Sequence, residues 1–157
     1  MLAVYQNSTS YFKFNELNGD AIDLIDGFNG TLFGNVQQGV QGKIDKAIEK
    51  TDSSNSSYLE IPSNAFDDEN FYMSGWFYYD SVNDKKLYLR NTNGTPTGFV
   101  IEIDNKVRPV YNFVAFLPEI NSNAIDNHWN HFAIEKNSSG NLKITINNFL
   151  QYNETQS

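Results

Sequence analysis

The residues with chemical potential in this sequence are few and scattered. Glu102 and Asp104 alternate in Glu102-Ile103-Asp104, and alternate residues of a strand share a face, so both acids would project the same way. His128 and His131 are the only histidines. Three positions apart on a strand they point to opposite faces, which prevents chelation of one ion, and zinc would need further ligands. Two histidines alone do not make a Ser-His-Asp arrangement. Asp20, Asp23, Asp26 and Asn29 cluster in one loop and offer the hard oxygens that suit calcium. Their spacing is not that of an EF-hand, and the same side chains also serve to cap their own turns. The metal expectation rests on Asp23, Asp26 and Asn29.

Aromatic side chains form the second set. Tyr79, Tyr88, Tyr111 and Phe113 are the candidates for stacking on a ligand ring, with Tyr78 beside them. Period-2 alternation divides the run Phe71 to Tyr79 into two faces. Trp76 and Tyr78 share one, and Phe77 and Tyr79 share the other. With Trp76 assigned to the middle of the core, Phe77 and Tyr79 face solvent or a concave sheet surface.

The elements that must position these residues are short strands. Tyr11 to Phe14, Tyr58 to Ile61, Phe71 to Tyr79, Lys86 to Arg90, Gly98 to Ile103, Val107 to Phe116, Trp129 to Glu135 and Leu142 to Ile146 read as strands from their alternation. Turn chemistry separates them at Asn18-Gly19-Asp20, Asp26-Gly27, Asn29-Gly30, Asn93-Gly94 and Ser138-Ser139-Gly140-Asn141. Lys43 to Lys50 could form a turn or two of helix, and Pro62 to Asp67 a short 3₁₀ piece. This pattern predicts an all-β chain, a sandwich or barrel, in one domain spanning 1–157.

Composition narrows the function. Aromatics make up 15% of the 157 residues, which fits half-buried pleated surfaces and argues against disorder. The formal net charge is -8. Nucleic-acid binding needs clustered cations to neutralise phosphates, so it is not expected, nor is an anionic membrane surface. There is no cysteine, which removes thiol chemistry and disulfides. No apolar run is long enough to span a membrane, and the first residues lack the basic and apolar regions of a signal peptide. Six Asn-x-Ser/Thr triplets occur and read as a consequence of Asn and Ser richness.

Two stretches resemble the concanavalin A-like lectin/glucanase superfamily, in particular its laminin-G-like modules. The first runs from Tyr11-Phe12-Lys13-Phe14-Asn15-Glu16 through Asp23, Asn29-Gly30-Thr31-Leu32, Gly39, Gly42-Lys43 and Ala47 to Tyr58-Leu59-Glu60-Ile61-Pro62. The second comprises Met73-Ser74-Gly75-Trp76-Phe77, Trp129-Asn130-His131-Phe132-Ala133-Ile134 and Leu142-Lys143-Ile144-Thr145-Ile146-Asn147. The resemblance implies a two-sheet antiparallel β-sandwich of the jelly-roll kind, a packing or hydrogen-bonding role for His131, and a structural calcium at a loop aspartate matched by Asp23. It also implies paired catalytic carboxylates in the form Glu-x-Asp-x-x-Glu or a near variant, but Asn105-Lys106-Val107 follow Asp104 with no further Glu. Asn148 stands where the family usually has Gly, and the family usually continues for one or two more strands. The sheet is therefore expected to be incomplete at its C-terminal end, with an open edge that invites pairing.

The expectation is a non-catalytic binding or adhesion module recognising carbohydrate or a glycan-bearing surface, as an oligomer or part of a larger assembly. The alternative is a structural or decoration protein of such an assembly, for instance a virus capsid or tail appendage. An extracellular or virion-surface location is expected. No cofactor is required, and a structural calcium in the acidic loop is the one candidate.

Overall fold

The computed structural model describes residues 10–52, 54, 56–62, 65, 70–82, 87–90, 99–103, 105–111, 115–116, 120–139 and 141–155. It is an all-β chain of several antiparallel sheets that do not close into a barrel. Two compact units divide it, residues 1–66 and 67–157.

In the first unit, β1 (Thr31–Phe33) pairs with β4 (Tyr58–Glu60), and β2 (Val36–Gln41) pairs with β3 (Lys46–Lys50). Phe33 stands opposite Tyr58, their rings stacked at 4.9 Å. The β2–β3 register slips between Gln37 and Val40, where Gly39 takes a φ of 73° and supplies the left-handed residue that a bulge needs. Lys46 to Lys50 is a strand, not the expected helical turn. Ala, Glu and Lys favour helices when isolated, and pairing with β2 overrides that weak preference. Tyr11 to Phe14 is also not a full strand. Phe12 makes one isolated bridge to Asp23, and Phe14 turns left-handed at φ 58°. In the expected 3₁₀ segment, the Ala65 N–H donates to Pro62 O at 3.0 Å, while residues 63, 64, 66 and 67 lie outside the described set.

The second unit holds two larger sheets. One runs β13 (Phe149–Thr155), β12 (Asn141–Ile146), β11 (His128–Lys136) and β5 (Phe71–Tyr79). The other runs β10 (Ile120–Asn121), β8 (Lys106–Tyr111), β7 (Phe99–Ile103) and β6 (Leu87–Arg90), with β9 (Ala115–Phe116) paired to β8. Residues of both sheets enter one buried cluster: Phe77 and Tyr79 from β5, Phe132 and Ile134 from β11, Leu142, Ile144 and Ile146 from β12, and Ile101, Ile103 and Val107 from β7 and β8. Each fully buried branched side chain contributes about 1.5–3 kcal/mol relative to exposure.

The β12–β13 hairpin turns on Asn147 and Asn148, at φ 51° and 67° between the paired Ile146 and Phe149. Two consecutive left-handed residues define the type I′ turn, whose twist matches the strands it joins. Asn adopts that region more readily than most residues, so Asn148 serves where a glycine would be usual. The chain does supply a strand after this hairpin: β13 pairs with β12 along its length, with a bulge at Ile144/Thr145.

Candidate functional site

The alternation on β5 has the opposite phase to the one expected. Trp76 is not in the core; it is 44% exposed. Phe77 and Tyr79 are buried, at 6% and 5% exposure, and belong to the apolar cluster. Tyr79 therefore packs inside the unit rather than presenting its ring outward. The cause lies across the ladder. Tyr79, Phe77, Gly75 and Met73 pair in register with His128, Asn130, Phe132 and Ile134, and the buried Phe132 and Ile134 draw that set inward.

The other set forms an aromatic face on the outside of β5 and β11. Tyr72, Trp76 and Tyr78 project from β5, with Tyr72 67% and Tyr78 37% exposed. Their register partners are Glu135, His131 and Trp129. Trp76 meets His131 edge-to-face at a centroid distance of 5.2 Å and 70° between planes. Tyr78 meets Trp129 in the same way at 5.7 Å and 75°. Such T-shaped pairs use the negative ring face and positive ring edge, and add about 0.5–1.5 kcal/mol beyond area burial. The two pairs are two residues apart along the strands, a separation of about 6.8 Å. Ser74 on β5, Ala133 and Glu135 on β11, and Thr145 and Lys143 opposite these two on β12 share this face by register. Partly exposed ring systems with polar groups at the margin offer apolar contact and hydrogen bonding to one ligand.

A hydrogen-bonded asparagine pair fixes the strand beneath this face. Asn130 is fully buried. Its Oδ1 accepts from the Ile125 N–H at 2.7 Å and from Asn147 Nδ2 at 2.9 Å. Its Nδ2 donates to Ile125 O and His128 O at 3.0 and 2.9 Å. Asn147 in turn grips the backbone of His131. Asn147 Oδ1 accepts the His131 N–H at 3.0 Å, and the Asn147 N–H donates to His131 O at 2.9 Å. His131, the partner of Trp76, is thus held by main-chain bonds on the turn side. Neither asparagine is among the candidate site residues of the sequence. The available signal was a polar residue in the inward phase of an otherwise apolar set, Asn130, Phe132 and Ile134.

The remaining ligand candidates are placed less fully. Tyr88 lies on β6 opposite Glu102, and Tyr111 on β8 opposite Phe99 and Ala115, but their side chains lie outside the described set. So do Phe113 and Asp104 altogether.

Asp23 is the organiser of the acidic loop. It is buried, and its carboxylate accepts four backbone N–H bonds. Oδ1 takes Tyr11 and Ile25 at 2.7 and 3.1 Å, and Oδ2 takes Asp26 and Phe28 at 3.3 and 3.1 Å. Asn29 Oδ1 accepts the Asp23 N–H at 3.0 Å. Burial pushes the Asp23 carboxyl up, and the four N–H donors more than reverse this, holding it below the usual carboxylate range. These residues do not fit a calcium ion. Four N–H dipoles point their positive ends at Asp23, the Asn29 oxygen is turned to the backbone, and the Asp26 side chain is exposed.

The histidines do not converge either. His128 Nδ1 lies 2.7 Å from Asp126 O, while His131 faces Trp76. Asp126 closes the end of the β5–β11 ladder. Its carboxylate accepts the Ser81 hydroxyl at 2.7 Å and the Ser81 N–H at 2.8 Å, and these two bonds depress its pKa. Among the described residues no three His, Asp or Glu side chains gather as a metal site would require.

The chain matches no protein-family model and has no significant relative among curated proteins. The residues themselves therefore carry the functional argument.

Proposed function

We propose that this chain is a non-catalytic binding module that recognises carbohydrate, or a surface bearing it, through the outer face of β5 and β11. The single observation behind this reading is the exposed aromatic set Tyr72, Trp76 and Tyr78 with Trp129 and His131 across the ladder. A pyranose ring has an apolar face of C–H groups and a rim of hydroxyls. Partly exposed rings receive the first, and Ser74, Thr145, Lys143 and Glu135 suit the second. The face lies along two strands rather than in a closed cavity, which suits successive sugars of a glycan chain. The fold we propose for it is a two-sheet sandwich of the concanavalin A-like, laminin-G-like kind, supported by the one apolar cluster fed from both sheets of residues 67–157 and by the order of the sequence motifs.

The test is a glycan array probed with the wild-type chain and with Trp76→Ala. Selective binding that Trp76→Ala removes supports the reading. Silence of the folded wild-type chain across a broad array defeats it.

A second reading, a structural or decoration component of a larger assembly, is favoured by β13. Among the described strands only β12 pairs with it, and Phe149 and Leu150 at its start are exposed. An edge of this kind is a template for another chain. Mass that rises with concentration in light scattering supports this reading, and a constant monomer mass removes it.

A further inference from the structure

The chain carries three Asn-Gly pairs, at 18–19, 29–30 and 93–94. The fold treats the first two oppositely; the third lies outside the described residues. Asn-Gly is chemically vulnerable because glycine has no Cβ to hinder its own backbone nitrogen. That nitrogen, on losing its proton, can attack the asparagine side-chain carbonyl carbon. A C–N bond forms, the bond to the side-chain amide nitrogen breaks, and ammonia leaves, giving a five-membered succinimide. Water then adds to one of the two ring carbonyls and opens the ring to aspartate or isoaspartate. Water is the only co-reactant, and nothing is oxidised or reduced.

We propose that Asn18 is a spontaneous deamidation site of the folded protein and that the fold shields Asn29 from the same reaction. Asn18 and Gly19 are both exposed. Gly19 has a φ of 82° and no atom within 4 Å of where a Cβ would stand, so the turn has room to rearrange. Among the described hydrogen bonds none engages the Asn18 side chain or the Gly19 N–H. At the second pair the nucleophile is occupied. The Gly30 N–H donates to Ala21 O at 2.8 Å, and Gly30 O accepts the Ala21 N–H at 2.8 Å. Gly30 is buried, and a Cβ built on it would lie 2.6 Å from Leu59 Cδ1. The electrophile is held too, since Asn29 Oδ1 accepts the Asp23 N–H. Reaction at Asn29 requires the Gly30 N–H to leave Ala21 O, with the Asn29 amide tethered at Asp23 and packing that leaves little space for the turn to rearrange.

The protected residue is thus the one that helps order the Asp23 loop. Reaction at Asn18 adds a negative charge to a chain whose formal net charge is already -8, beside Asp20. Its isoaspartate form also inserts an extra backbone carbon into the turn.

The experiment incubates the full chain at mildly alkaline pH, folded and in urea, and follows each Asn-Gly peptide by mass spectrometry with enzymatic detection of isoaspartate. In the folded chain, conversion at Asn18 should exceed that at Asn29 by roughly tenfold or more, as the extra hydrogen bonds at the second pair imply. In urea the two should convert at similar rates. Equal conversion in the folded chain overturns the proposal. So does a ratio that survives in urea, because local sequence would then set it, and so does an Asn18 that stays intact while the unfolded chain reacts.

Discussion

The indole of Trp76 stands edge-to-face with the imidazole of His131 across the β5–β11 ladder, their centroids 5.2 Å apart at 70°. The pairing leaves Trp76 44% exposed, while its neighbour Phe77 packs against Phe132 at 6.2 Å on the other side of the same strand. One step along the chain thus separates an outward ring from a core ring.

Substitution at these two positions should separate stability from binding. Phe77→Ala should cost about 3–5 kcal/mol, the usual range for deleting a buried aromatic, seen as a large fall in Tm. Trp76→Ala should cost only about 0.5–1.5 kcal/mol, the lost edge contact with His131, and leave a folded chain. Its glycan affinity should fall by about tenfold or more, since 1.4 kcal/mol of contact corresponds to one decade. Melting curves with titration of an array-selected glycan check both. A Trp76→Ala chain that binds normally would remove this face from the site.

Asp23 should make stability depend on acid. Its folded-state pKa lies below the ordinary 3.8, so the unfolded chain binds its proton more readily. The stabilisation is fully present above the unfolded carboxylate range and is lost as pH falls through the lower folded value. Asp23→Asn keeps one acceptor oxygen and turns an NH₂ towards N–H donors. It should destabilise by about 1–3 kcal/mol at neutral pH and flatten the dependence of Tm on pH below about 4. Calcium and EDTA should leave the wild-type Tm unmoved. A rise in Tm on adding calcium would show that the loop rearranges to release oxygens for the ion.

Much of the strand pattern was legible in the sequence, and the facing of side chains was not. The run Phe71 to Tyr79 coincides with β5 because six of its nine residues are aromatic and suit a pleated surface. Its phase was ambiguous because both sets carry large rings: Phe71, Phe77 and Tyr79 in one, Tyr72, Trp76 and Tyr78 in the other. Only the partner strand resolves this. On β11 the inward set holds Phe132 and Ile134, and the outward set holds Trp129, His131, Ala133 and Glu135. Register across strands is not readable from either run alone, so the expected facing of Trp76, Phe77 and Tyr79 is inverted in the structure. The Asp23 cage shows the same limit. Four carboxylate bonds reach residues up to twelve positions away, and acidic spacing alone looks the same for a turn and a metal loop.

The β12–β13 turn should distinguish conformation from hydrogen bonding. Asn148 contributes a left-handed φ of 67°, which glycine adopts freely, so Asn148→Gly should leave Tm nearly unchanged. Asn148→Val should cost about 1–2 kcal/mol, the penalty for a side chain in that region. At Asn147 glycine suits the φ of 51° equally but loses the side-chain bonds to His131, Asn130 and Asn123. Asn147→Gly should therefore destabilise by about 1–3 kcal/mol. Equal melting of Asn147→Gly and Asn148→Gly would mean that these side-chain bonds contribute nothing net.

Gly75 lies opposite Phe132 in the ladder, and the ring occupies the space that a side chain would take. A Cβ at Gly75 would stand 3.0 Å from Phe132 Cε1 and 3.3 Å from Cζ, closer than comfortable van der Waals contact. Removing a glycine also lowers the entropy of the unfolded chain, which favours Gly75→Ala by about 0.4–1 kcal/mol. The ring cannot move freely, because Phe132 is buried and meets Phe77 on one side and Ile146 across the ladder. Overpacking of this kind costs about 1–3 kcal/mol, so the net effect of Gly75→Ala should be a lower Tm. Adding Phe132→Leu should return part of that loss, because the smaller side chain vacates the space above position 75 and the two changes share one contact. A Gly75→Ala chain that melts above the wild type would mean that Phe132 yields easily and that the ring is not what requires glycine here.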